Sequence, residues 1–172
     1  MYWRWVLVVP IFLIGEEPAI SLERGCAEHT AKTWGVPVEL LEAVHDVEAG
    51  KPGAKHRNRN GTFDLGVMQH NSRTAAALHK KFGVDPDSLL WSECYAVYVS
   101  GWELASSAYR YQDWRLAIAA YNAGDTAVSK AIKAHGGIPK DLRELKLPGN
   151  TKNDYVPKVL EAWARHLNER RP

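Results

Sequence analysis

Glu48 is a carboxylate in the apolar stripe of a helix. From Val38 to Glu48 the spacing sets Leu40, Leu41, Val44 and Val47 on one face, with Glu48 in the same stripe. Glu39, Glu42 and Asp46 fall elsewhere around the turn, where solvated acids belong. Ala49, Gly50 and Pro52 stop the helix, so Glu48 lies in its last turn. A carboxyl that is partly desolvated and close to a negative helix end has a raised pKa, which suits a general acid near neutral pH. Taken alone, the same position also suits a rim acid paired with a Lys or Arg. Two further stretches carry chemistry-bearing types: Asp64-Leu65-Gly66-Val67-Met68-Gln69-His70-Asn71-Ser72-Arg73, and Ala120-Tyr121-Asn122-Ala123-Gly124. Taken singly, Met68 and Tyr121 read as core residues.

The elements that must position these residues are mainly helical. A short helix is predicted over Cys26–Trp34, ending at Gly35, and Val36-Pro37 opens the Glu48 helix. The helical period breaks from Gly50 to Leu65, where Asn60-Gly61 signals a hairpin. Ser72 reads as the N-cap of a helix that runs to Phe82, and Gly83–Asp87 as a loop. A long helix follows from Ser92 to Tyr111, with Leu104, Ala105, Ala108 and Tyr109 inward. An apolar helix over Asp113–Tyr121 halts at Asn122–Gly124. Asp125 reads as the cap of a helix ending at Gly136-Gly137. After an irregular loop over Ile138–Thr151, a terminal helix starts near Asn153 with Pro157 in its first turn. The expected fold class is mainly α within α+β: a single compact helical domain, residues 22–172, with a small β-hairpin after the Glu48 helix.

With 172 residues, 45% of them apolar and seven Trp, the chain can bury one good core. A net charge of +2 without a concentrated Lys/Arg stripe argues against nucleic acid as a partner, and a monomer is expected. Arg4 precedes an apolar run over Trp5–Gly15 of signal-peptide length, and Ala19-Ile20-Ser21 offers small residues for cleavage. Residues 1–21 are therefore expected to be a signal peptide, or an N-terminal anchor if retained, and the protein to be exported to the periplasm. Glu23 and Arg24 ahead of Cys26 do not suit a lipoprotein signal. In an oxidising compartment Cys26 and Cys94, the only two cysteines, would join and tie the first helix to the long one; free buried thiols are the other possibility. Closing so long a loop contributes about 4 kcal/mol in the chain-entropy model. Cys26 and His29 find no second ligand pair, so no metal site is expected, and no cofactor.

The order Glu48-Ala49-Gly50, then Gly66-Val67-Met68-Gln69, then Ala120-Tyr121-Asn122-Ala123-Gly124, then Tyr155, resembles the lytic transglycosylases of the soluble-transglycosylase (SLT), lysozyme-like superfamily. The likeness spans roughly Cys26 to Leu160. It implies cleavage of peptidoglycan glycan strands between N-acetylmuramic acid and N-acetylglucosamine, with Glu48 as acid and then base, closing a 1,6-anhydro ring. Gly66 would let the loop approach the sugar, and Met68 and Gln69 would give a wall and an amide. Tyr121 and Asn122 would meet the N-acetyl groups, Ala123 would be a further substrate-binding residue, and Tyr155 would complete the wall. The stretch around Asp64 also resembles animal-type lysozymes, which implies a second carboxylate beside Glu48; its alternative role is binding backbone amides in the hairpin.

Two positions depart from the family pattern. Ala49 replaces the usual Ser, and His70 stands where an apolar residue is expected. Within the superfamily, the two cysteines, Trp114 and the short length resemble small transglycosylases that accompany type III secretion, type IV pilus or conjugation machines. The resemblance implies such a machine as partner, beside the peptidoglycan itself. A hydrolytic muramidase using Glu48 and Asp64, and a catalytically weak wall-binding assembly factor, are the alternatives.

Overall fold

A computed structural model describes residues 22–170, so the expected leader over 1–21 lies outside the described residues. Helix α1 (Arg24–Trp34) ends at Gly35 in the left-handed conformation, and α2 (Val38–Glu48) ends at Ala49, also left-handed at φ 48°. A three-stranded antiparallel sheet follows, β1 (Lys55–Arg57), β2 (Phe63–Leu65) and β3 (His70–Asn71), in the order β1-β2-β3. Then come α3 (Ser72–Phe82), α4 (Pro86–Trp91), α5 (Glu93–Tyr111), α6 (Trp114–Ala123) and α7 (Asp125–His135). A π turn over Thr151–Tyr155 runs directly into α8 (Val156–Glu169). The mainly helical fold with a small sheet after the Glu48 helix agrees with the expectation.

Leu116 through Ala120 of α6 are all buried, because this helix is apolar around its whole circumference. Leu40, Leu41 and Val44 of α2, Val97 and Leu104 of α5, and Val159 of α8 join it in one buried cluster. Each fully buried leucine contributes about 2 kcal/mol of transfer free energy. On the far side of α2, α8 docks through Arg170 to Glu42 at 2.6 Å and His166 to Asp46 at 2.8 Å. Glu42 and Asp46 are thus partners of α8 rather than simply solvated acids. Cys26 and Cys94 form a disulfide that ties α1 to the first turn of α5.

Several local expectations are corrected. The segment around Pro86, expected as loop, forms α4: Asp85 accepts from the backbone N–H groups of Asp87 and Ser88, and Pro86 takes the first helical position. The hairpin gains β3, which pairs Asp64 with Asn71 and Leu65 with His70. Asn71, not Ser72, caps α3, while Ser72 Oγ accepts from Phe63 N–H and fastens α3 to β2. Gly124 is the N-cap of α7, and the Asp125 carboxylate instead accepts from the Tyr111 hydroxyl at 2.8 Å. Tyr109, expected inward, is 84% exposed, and Tyr111 takes the buried place two residues on.

Candidate active site

The last turn of α2 carries Glu48 to the edge of a cleft of about 460 Å³, walled on the other side by β2, β3 and the end of α6. Ala49 turns the chain back in the left-handed conformation, and Gly50 then packs against the loop that follows β2. A Cβ on Gly50 would overlap the Gly66 carbonyl oxygen and come within 2.8 Å of Gln69 Nε2 and of the Val67 carbonyl. The two backbone segments touch without room for a methyl group. In the sequence Gly50 marks only a helix stop; nothing local to it marks a tertiary contact.

Glu48 is mostly buried, and its Oε1 accepts from the Tyr155 hydroxyl at 2.5 Å. Desolvation pushes its pKa up to about 7. The Tyr155 hydrogen bond and the charge of His70 oppose that rise, and the charge of Asp64 adds to it. The partner of Glu48 is therefore a phenol, not the Lys or Arg of the rim-acid reading. Burial and the neighbouring Glu48 charge hold the Tyr155 phenol well above its usual range, so it stays a donor. Because the phenol occupies Oε1, the proton of neutral Glu48 is left to Oε2.

Tyr155 arrives from the opposite end of the chain. Thr151, at the start of the π turn, donates from its hydroxyl to Asn122 Oδ1 at 2.7 Å, which pins the turn to the end of α6. The wide π geometry then delivers Tyr155 inward, 8% exposed. Asn122 thus lines the cleft while holding the segment that holds Glu48. Ala123 sits beside it, partly buried against the core.

Asp64 lines the same cleft from the middle of β2. Its Oδ1 accepts from Asn71 Nδ2 at 3.0 Å, across the strand pair. The hairpin turn is held by other groups: Asn60 Oδ1 accepts from Thr62 N–H at 3.0 Å and from the Thr62 hydroxyl at 2.7 Å. The Asp64 carboxylate is therefore not spent on backbone amides of the turn.

Gly66, Met68 and Gln69 divide differently from their expected roles. Gly66 is buried at φ 64°, and a Cβ there would overlap the Leu89 carbonyl oxygen, so its bareness serves the approach of α4 rather than of a sugar. Met68 is fully buried in the core, and only its carbonyl oxygen points toward the site, where it accepts from the Tyr121 hydroxyl at 2.9 Å. Gln69 does line the cleft, in a left-handed conformation, with Nε2 donating to the Gly66 carbonyl at 2.7 Å. Beyond Tyr121 the cleft runs on into a broader groove of about 810 Å³ between α3, α5 and α7 that takes in Trp102 and Phe82.

Residues 25–143 match the family described as the transglycosylase SLT domain. The chain is also 39% identical over 147 residues to the protein named "Invasion protein IagB" of Salmonella typhimurium (strain SL1344), covering 83% of this chain and 89% of that one. It is 38% identical over 146 residues to the protein of the same name from Salmonella typhi. A shorter stretch, 50 residues at 50% identity, matches "Membrane-bound lytic murein transglycosylase D" of Escherichia coli (strain K12), 28% of this chain and 11% of the relative.

Proposed function

The chain belongs to the transglycosylase SLT domain family, and from that premise we propose that it cleaves the glycan strands of peptidoglycan as a lytic transglycosylase, with Glu48 as its acid and base. The single observation that carries the reading is Glu48 itself: a carboxyl desolvated to a pKa of about 7, donor-locked on Oε1 and open on one side to a cleft. At that pKa about half the molecules carry the proton at neutral pH, the condition for an efficient general acid.

The proposed reaction runs in two proton transfers on one carboxyl. Glu48 gives its Oε2 proton to the oxygen linking N-acetylmuramic acid to N-acetylglucosamine as the C1–O bond breaks, leaving an oxocarbenium-like muramyl ring. Glu48, now a carboxylate, takes the proton of the muramyl C6 hydroxyl. The C6 oxygen bonds to C1, the 1,6-anhydro ring closes, and Glu48 is protonated again. No water is consumed. Asp64, on the facing strand of the same cleft, supplies negative charge to the oxocarbenium-like state. Gln69, Tyr121, Asn122 and Ala123 are proposed to bound the sugar-binding walls, with Tyr155 setting the orientation of the acid.

The presence of Asp64 in the cleft also favours a second reading, hydrolysis by a muramidase route. Mass spectrometry of digested cell walls separates the two. Anhydro-muropeptides are expected; reducing muramyl ends alone would overturn transglycosylation in favour of hydrolysis.

For cellular role, we propose export of the chain and local opening of the wall for an envelope-spanning apparatus, a reading that the resemblance of its cysteines, Trp114 and short length to small machine-associated transglycosylases supports. No helix among the described residues is long and apolar enough to cross a membrane. Deleting the protein and restoring it as Glu48→Gln tests this: assembly of the apparatus should fail with the variant, and assembly that survives would point to a scaffold.

A further inference from the structure

His70 departs from the family pattern, and the structure surrounds it with groups that give the departure a use. The ring is buried, 4% exposed, between β3, α5 and α6. Its Nε2 lies 3.1 Å from the Ala96 carbonyl and 3.1 Å from Ser100 Oγ, and its Nδ1 lies 3.3 Å from Glu103 Oε2. Ser100 Oγ is in turn 2.8 Å from the Tyr121 hydroxyl, which reaches the Met68 carbonyl at 2.9 Å.

We propose that His70 and Glu103 form a positioning pair for the Glu48 site, an imidazolium and carboxylate seated beneath the cleft that hold Tyr121 through Ser100 and face Glu48 with positive charge. The direction of every proton in the chain follows from one fixed end. The Met68 carbonyl can only accept, so Tyr121 donates to it and must accept from Ser100. Ser100 has then spent its proton and must accept from His70, so Nε2 carries a hydrogen, as the Ala96 carbonyl also requires. Nδ1 faces a carboxylate oxygen, where a bare ring nitrogen would be repelled; it too carries a hydrogen. Both nitrogens are donors, and the ring is charged.

The charged and titratable groups facing this ring are Glu103 from α5, Tyr121 from α6 and Glu48 from α2, with Asp64 and Arg73 further along the cleft. Burial alone would lower the His70 pKa, but the Glu103 carboxylate 3.3 Å from Nδ1, with help from Ala96 and Glu48, carries it above its ordinary value. Its charge acts back on Glu48 by favouring the carboxylate, against the desolvation that favours the acid. A carboxyl that must release a proton and recover one in the same cycle needs both pulls.

The proposal rests on Glu48 as the acid, and its test separates the two. In the full-length protein labelled with ¹⁵N-histidine, both His70 nitrogens should be protonated at a pH of about 7.5, where an ordinary imidazole is neutral. In Glu103→Gln only Nε2 should remain so. His70→Gln can still donate to Ser100 but carries no charge, so it should keep KM while moving the alkaline limb of kcat upward by about half a unit. A neutral His70 in the wild type, or an unmoved limb in folded His70→Gln, overturns the pair. Should His70→Gln not fold, the limb in volume-conserving Glu103→Gln is read beside its nitrogen spectrum, and two wild-type results overturn the pair equally. Activity retained in Glu48→Gln would instead sink the acid assignment, leaving the nitrogen spectra to judge the pair.

Discussion

The Tyr155 hydroxyl donates to Glu48 Oε1 at 2.5 Å across 107 positions of sequence. One end of the chain supplies the acid and the other fixes which of its oxygens is free. Replacing the phenol tests this. In Tyr155→Phe the carboxylate loses its donor, so the Glu48 pKa rises further and the alkaline limb of the pH–rate profile moves up. With the proton no longer directed to Oε2, kcat should fall roughly 10- to 100-fold. The ring remains in the core, so Tm should change little.

Glu48→Gln should reduce turnover at least about a thousandfold, and it should also alter stability in a pH-dependent way. The folded carboxyl has a pKa of about 7 against 4.5 for the ordinary group. Its stabilising contribution is fully present below 4.5 and is lost as pH rises through 7, amounting to about 3 kcal/mol over that window. Denaturant titrations at a series of pH values should show wild type weakening across the window by about 3 kcal/mol more than the variant.

Asp64→Asn keeps an oxygen to accept from Asn71, so the sheet should persist while the charge is lost. Turnover should fall about tenfold or more, with the unfolding midpoint preserved. Near-wild-type turnover would remove Asp64 from the catalytic assignment.

Gly50→Ala should destabilise the fold by roughly 2–4 kcal/mol, since its Cβ meets backbone that cannot yield. Gly61→Ala, in open space at φ 80°, should lose only about 1–2 kcal/mol of stability to backbone strain. Urea unfolding of the two variants, with turnover measured alongside, separates a tertiary collision from local strain.

Much of this site was legible in the chain. Glu48 announced itself by sitting in an apolar stripe, and the helices by period, caps and glycine stops. What could not be read were contacts between distant segments. Met68 and Gly66 belong to a recognisable motif, yet their side-chain positions depend on where α5 and α4 lie, and no local pattern encodes that. The six residues of α4 are too few to display a helical period, although Asp85-Pro86 carried its start signal. Tyr111 displaced Tyr109 from the interior because its hydroxyl reaches Asp125 and Ser129 on α7, a partner invisible from its own helix.

The docking of α8 onto α2 has a consequence in time. Glu48 is made early in synthesis, but the π turn that delivers Tyr155 and the helix that follows it come last. Without that last segment Glu48 has no phenol on Oε1, and α2 lacks the partners that His166 and Arg170 give to Asp46 and Glu42. A chain that stops before Thr151 holds every residue of the cleft's walls yet lacks the hydroxyl that occupies Oε1. The first third of the domain carries the carboxyl, and its last segment, made last, carries the group that orients it.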